Sequence, residues 1–272
     1  MNVIRKIEIE QEEKNKMLKM YNEDKMSLQK IANTTGFSIA TVHRILTEMN
    51  YIPRNNREQA LKYAFNENYF ENIDCEHKAY WLGYICADAT IYNQTKTDSG
   101  ILKFEMKKQD EELIFKFKED IHSNHPIKYY TNKQFKGYRS ARLVLRSNKM
   151  VQDLAKYGVT ANKSLVLNFP EQLISNQYVG AFIRGYFDGD GSLCLYSNEV
   201  FDIKIIGTEN FLNTIKDVIQ IKCRISNPKS KAYELRISSN EERKKFLTFI
   251  YKNATVYLQR KYDRFQLFLQ KH

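Results

Sequence analysis

Gly180-Ala181-Phe182-Ile183-Arg184-Gly185-Tyr186-Phe187-Asp188-Gly189-Asp190-Gly191-Ser192 decides how the rest of the chain is read. The apolar spacing predicts a helix that stops at an acidic, glycine-rich end. Ala181, Gly185 and Gly189 fall at i, i+4 and i+8, so they line one helix face with almost no side chain. Each of the helix's glycines costs roughly 1 kcal/mol of propensity, and close packing against another backbone is the natural offset. A second copy lies about a hundred residues earlier, in Ala79-Tyr80-Trp81-Leu82-Gly83-Tyr84-Ile85-Cys86-Ala87-Asp88-Ala89-Thr90-Ile91. Ala79, Gly83 and Ala87 repeat the small stripe, and Asp88 repeats the terminal acid of Asp190. Two copies imply two similar halves in one chain. If the small faces pack on each other, Asp88 and Asp190 meet at the end of the seam. Two converging carboxylates form a divalent-metal site or an acid/base pair.

On these residues the chain resembles the LAGLIDADG family of homing endonucleases. Gly83 with Asp88, and Gly185 with Asp190, stand at that motif's glycine and metal-binding acid, and Ile183 to Gly191 is the closer copy. The first copy departs from the pattern at Cys86, where the motif has an acid, and at Ala89, where it has a glycine. The resemblance covers roughly residues 76–270.

Composition agrees with a polyanion-binding protein. The chain has 272 residues, with 43 Lys plus Arg against 32 Asp plus Glu and a net charge of +11. That balance favours nucleic acid or an anionic membrane surface. No apolar run is long enough to span a bilayer and the start lacks a signal-peptide pattern, so an intracellular, cytoplasmic protein is expected. Cys75, Cys86, Cys194 and Cys223 are scattered without metal-ligand spacing, which reads as reduced packing residues. His122 and His125 lack the neighbours of an HNH or zinc site and read as loop residues.

Ahead of the first motif, residues 1–55 read as an all-α helix-turn-helix module. After a first helix from Glu12 to Asn22, Ser27 opens a short helix carrying Leu28, Ile31 and Ala32 inward. Gly36 allows a turn of positive φ, and Ser38 is a good N-cap for the next helix. Ile39, Val42, Ile45 and Leu46 would form that helix's buried stripe. Ser38, Thr41, His43 and Arg44 would face the DNA major groove. Residues 56–76 read as a linker, 77–170 as the first half-domain and 171–272 as the second.

Alternating strands follow each acid. Tyr92, Gln94 and Lys96 share one face after Asp88. Lys103 alternates with Leu102 and Phe104, and Arg142 and Arg146 with Leu143 and Leu145. Asn148 is expected to cap the next helix. The second half repeats the order: a strand from Ser192 to Asn198, Lys204 between Ile203 and Ile205, Lys222 and Arg224 around Cys223, and Arg236 between Leu235 and Ile237. Each half therefore reads α-β-β-α-β-β-α, an α+β fold in which one sheet face is buried under helices. The opposite faces, joined by twofold packing, would make a basic saddle suited to reading base edges.

Phosphodiester hydrolysis needs an activated water and charge neutralisation at phosphorus. Two or three Mg²⁺ ions held by Asp88 and Asp190, with the backbone carbonyls of Ala89 and Gly191, would supply both. The resemblance further implies a basic residue near each centre, and Lys163 and Lys261 stand at comparable places late in each half. The expected activity is a metal-dependent, site-specific double-strand cut of DNA by a monomer. The rivals are a DNA-binding regulator on the same fold without cleavage and an RNA-binding intron maturase.

Overall fold

The computed structural model describes residues 9–24, 26–53, 63–94, 99–131, 139–196, 200–227 and 232–272. The chain divides into two compact units, Met1–Tyr63 and Ala64–His272.

The first unit holds helices α1 (Gln11–Asn22), α2 (Leu28–Thr35) and α3 (Ile39–Glu48). Met17, Tyr21, Ile31, Ala32, Val42, Ile45 and Leu46 make its own core. The Ser27 hydroxyl accepts the Lys30 N–H, and that of Ser38 accepts the Thr41 N–H. Such caps are worth about 1 kcal/mol each. Gly36 ends α2 at φ 77° with its N–H on the Ala32 carbonyl, a conformation that favours glycine. One expectation fails: Ile39 is 43% exposed. It sits in the first turn, and Phe37, just before the cap, packs against the cluster instead.

The second unit contains the two repeats. The first is α4 (Glu76–Asp88), β1 (Thr90–Gln94), β2 (Ser99–Lys107), α5 (Glu112–Asp120), β3 (Lys128–Thr131), β4 (Arg139–Arg146) and α6 (Asn148–Ala155). A short helix, α7 (Glu171–Ile174), leads to α8 (Val179–Asp190), β5 (Gly191–Leu195), β6 (Phe201–Gly207), α9 (Glu209–Ile219), β7 (Arg224–Ser226), β8 (Tyr233–Ile237), α10 (Asn240–Tyr251) and α11 (Gln259–Lys271). Both sheets are antiparallel, in the orders β1-β2-β4-β3 and β5-β6-β8-β7. Leu102, Phe104, Leu143 and Leu145 bury one face of the first sheet; Ile203, Ile205, Leu235 and Ile237 bury the matching face of the second. The α+β reading with two repeated four-stranded halves is therefore observed.

The seam between α4 and α8 positions everything else. A Cβ built on Gly83 would lie 2.0 Å from the Phe182 carbonyl oxygen, and one on Gly185 would lie 1.9 Å from that of Tyr80. Near the acidic end, a Cβ on Gly189 would lie 2.4 Å from the Ala87 Cβ. Ala79 and Ala181 are buried. Main chain meets main chain, so no side chain fits at either glycine.

Several boundaries differ from expectation. Residues 64–75 are not a linker: Phe70 is fully buried, and Tyr69 and Ile73 join the larger core. The cap of α6 is Ser147, which accepts the Met150 N–H. Asn148 instead accepts the Gly100 N–H and ties the helix to β2. β5 ends at Leu195 rather than Asn198, and Lys222 precedes β7 instead of lying in it. Lys96 and the Gln94 side chain lie outside the described residues.

Gly185→Ala tests the seam. The substitution improves helix propensity by about 1 kcal/mol yet places a methyl inside a backbone contact. A net loss of roughly 1–3 kcal/mol or more is expected, read as a lower midpoint in urea unfolding. An unchanged or raised midpoint would mean the helices do not meet there.

Candidate active site

Asp88 and Asp190 are the last residues of α4 and α8. The seam brings these ends together: a Cβ on Gly189 would lie 3.4 Å from the Asp88 Cβ. Both side chains keep a water-accessible edge while protein crowds around them. Burial pushes the Asp190 carboxyl up to about 6, and the neighbouring charge of Asp88 adds to it against the pull of Lys163 and Lys261. Burial raises Asp88 too, opposed by a hydrogen bond from the Tyr84 hydroxyl (3.4 Å) and by the same two lysines. A helix C-terminus adds unfavourable negative potential at both. These acids are therefore held near each other at an energetic cost that a cation relieves.

Lys163 and Lys261 are buried, at 6% and 1% exposure, so neither is an ordinary surface lysine. The Lys163 ammonium donates to the Ala89 carbonyl at 2.5 Å. That of Lys261 donates to the carbonyls of Gly191 (2.6 Å), Phe187 (2.5 Å) and Asp188 (3.0 Å). Each lysine thus grips the residue that follows a motif acid. Burial pulls Lys261 down to about 8, against Asp188 and Asp190, and lowers Lys163 against Cys86, Asp190 and Asp88. The carbonyls of Ala89 and Gly191, expected as metal ligands, each accept a lysine hydrogen bond and keep a second lone pair.

Asp188, two residues before Asp190, points to the opposite side of α8, because two residues turn a helix about 200°. It is buried and accepts from the Tyr80 hydroxyl (2.9 Å), the Tyr251 hydroxyl (2.7 Å) and the Leu258 N–H (2.7 Å). It cross-links the seam and has no free face for a metal. Its counterpart Cys86 is buried, with its thiol pushed up to about 12 by burial. The four cysteines are unpaired. Arg184, also buried, donates to the carbonyls of Val256 and Ile250 and to the Glu76 carboxylate. Sequence reasoning missed Asp188, Arg184 and Tyr84; the Asp-Gly-Asp spacing was the available sign that Asp188 faces inward.

The solved structure of the homing endonuclease I-WcaI bound to its DNA recognition sequence aligns with 79% of this chain and 95% of that one, at TM-score 0.54 and 16% identity. The chain has the LAGLIDADG homing-endonuclease fold. The LAGLIDADG meganuclease I-AabMI bound to uncleaved DNA aligns over 70% of this chain and 89% of that one, at TM-score 0.45 and 12% identity. I-SmaMI bound to an uncleaved DNA target with calcium ions aligns over 70% and 90%, at TM-score 0.48 and 12% identity. No protein-family model and no curated protein matches the chain.

In this LAGLIDADG fold the sheet faces away from the helices carry the expected cations. Arg142 pairs with Glu105, and Lys103 approaches the same carboxylate at 3.3 Å. Lys204 and Arg236 share Asp202, at 3.3 and 3.4 Å. Lys204, Arg236 and Arg224 stand directly opposite one another across β6, β8 and β7, a row of like charges unfavourable to folding alone. Arg146, Lys222 and Tyr92 are exposed. In the first unit Ser38 and His43 are exposed, and Thr41 and Arg44 are half-buried, Arg44 on Glu48 at 2.5 Å. Among the described residues no helix is long and apolar enough to cross a membrane.

A titration of stability tests the strain at the acids. Asp190 has a folded value of about 6 against an ordinary 3.8. Its contribution is fullest below about 4 and is lost as pH rises through about 6. Asp190→Asn should therefore melt close to wild type at pH 4 and increasingly above it toward pH 7, in EDTA. A melting difference that does not change with pH would contradict this.

Proposed function

We propose that the chain is a site-specific DNA endonuclease of the LAGLIDADG family. The observation that carries this reading is the pair of motif acids meeting at the seam, each followed by a carbonyl held by a buried lysine. A pair of accessible carboxylates at the end of one seam, Asp88 bonded by the Tyr84 hydroxyl, suits a hard divalent cation. Among the described residues no cluster of three or more His, Cys, Asp or Glu offers an alternative site. Asp88 and Asp190 would hold Mg²⁺, which when bound lowers the pKa of a water and neutralises phosphate charge.

The chain's own residues do the rest. Lys163 and Lys261 fix the backbone just beyond each acid and bring positive charge to a centre that must accept a phosphate. The three ammonium hydrogens of Lys261 are held by the carbonyls of Phe187, Asp188 and Gly191, so its part is charge and positioning. The cations on the two sheet faces would meet the duplex, with phosphate contacts giving salt-dependent affinity and base contacts giving selectivity. The helix-turn-helix unit would add a second duplex contact. One chain supplies both motif helices, so a monomer suffices.

Plasmid cleavage in Mg²⁺ and in EDTA, alongside gel-shift binding, tests the reading. Asp190→Asn and Asp88→Asn should each lose cleavage by at least about 100-fold while still binding the site. Undiminished cleavage by both variants would overturn the acid assignment. A wild type that binds a mapped site and never cuts it would favour the regulator, a reading the helix-turn-helix unit supports.

A further inference from the structure

Arg142 lies in the middle of the first sheet, directly opposite Glu105 in the β2–β4 register. Its Nε donates to Glu105 Oε2 at 3.1 Å and one terminal nitrogen donates to Oε1 at 2.9 Å. Ser140 donates to the same Oε1 at 3.0 Å, and the Lys103 ammonium lies 3.3 Å from Oε2. The Tyr130 ring centroid is 4.0 Å from the guanidinium carbon. One edge of the guanidinium is therefore occupied by the carboxylate, and Tyr130 covers one face and adds a side-chain hydrogen-bonding contact. Side chains of Arg142 and Glu105 stay 28% and 30% exposed, so the pair is not sealed inside the protein.

A guanidinium has five N–H donors in a rigid fork. The carboxylate takes Nε and one hydrogen of a terminal nitrogen. The remaining hydrogens include one on each terminal nitrogen, and these form a second, parallel pair at the tip. That pair matches the O6 and N7 acceptors of guanine in the major groove, the commonest specific arginine contact. Holding the fork before DNA arrives removes the rotamer entropy that a free arginine loses on binding. Burial alone would raise the Glu105 carboxyl, yet Arg142, Ser140 and Lys103 hold it below the usual range, so it stays a charged clamp in any working buffer.

We propose that Arg142 reads a guanine of the target with its tip and that Glu105 is the positioning residue that sets this specificity. The inference rests on the endonuclease reading, since it requires the sheet face to meet a duplex. Glu105 also removes charge from the face, so it weakens attraction to phosphates in general while sharpening one base contact. The second sheet carries a looser version: Arg236 meets Asp202 at 3.4 Å through both Nε and a terminal nitrogen, but the residues directly opposite it are Lys204 and Arg224 rather than the acid.

The test is selection by the full-length protein, in EDTA, from a duplex library of randomised sequence. Wild type should return a site with an essentially fixed guanine at one position of one half. Arg142→Lys keeps the charge and loses the fork; the guanine preference should fall at least about tenfold at that position. Glu105→Gln should relax the same position while binding unrelated duplex several-fold more tightly. The other positions of the selected site report that both variants are folded. A site unchanged by either substitution would overturn this inference and leave the endonuclease reading standing. A wild type that selects no sequence at all would overturn both.

Discussion

Main chain touches main chain where Gly83 meets Phe182 and Gly185 meets Tyr80. Every other feature of the larger unit is arranged around that contact. Helices separated by ordinary side chains lie 8–10 Å apart; two glycines at the crossing remove those side chains and let the helix ends approach. The terminal acids then share one space instead of facing two. Glycine is needed here for closeness, not for unusual φ, and any Cβ would force the backbones apart.

The contact is guarded by buried polar groups that are fully matched. Asp188 of α8 receives hydrogen bonds from Tyr80 of α4, from Tyr251 and from Leu258. Arg184 ties α8 to Glu76 and to the carbonyls of Ile250 and Val256. A buried charge that loses its partner costs several kcal/mol, so these groups lock the crossing against sliding. The acids at the site are the contrast: burial holds both above the ordinary carboxylate range, helped at Asp190 by the charge of Asp88 and at Asp88 by that of Glu105. The two halves are not equal in this. Lys261 binds three carbonyls beside Asp188, whereas Lys163 sits beside the thiol of Cys86.

The seam was legible because it is written locally. Small residues at four-residue spacing and an acid at the stripe's end specify it without any knowledge of the fold. Strand alternation was legible for the same reason, since period two is a local property. What failed depended on tertiary partners. Nothing in Ala161-Asn162-Lys163-Ser164 says that the lysine is buried on the Ala89 carbonyl, 74 residues away. The motif itself does not say that Arg184 is buried on Glu76 and the Val256 carbonyl, both distant in sequence. The cap moved by one residue, from Asn148 to Ser147, because both are good N-caps and the choice was settled by the Gly100 N–H on β2. The linker reading extends too far because Tyr69, Phe70 and Ile73 lie in a short polar stretch that forms no regular element, and their burial depends on core partners distant in sequence.

The central claim is that the seam makes Asp88 and Asp190 electrostatic neighbours. The most direct measurement follows the side-chain carboxyl of Asp190 by carbon-13 NMR through a pH titration in EDTA, in wild type and in Asp88→Asn. In wild type the midpoint should lie near 6. Removing the charge of Asp88 should lower it, because that charge is among the causes of the rise. The same midpoint in both proteins would contradict the account, since two acids that do not feel each other are not held at the end of one seam.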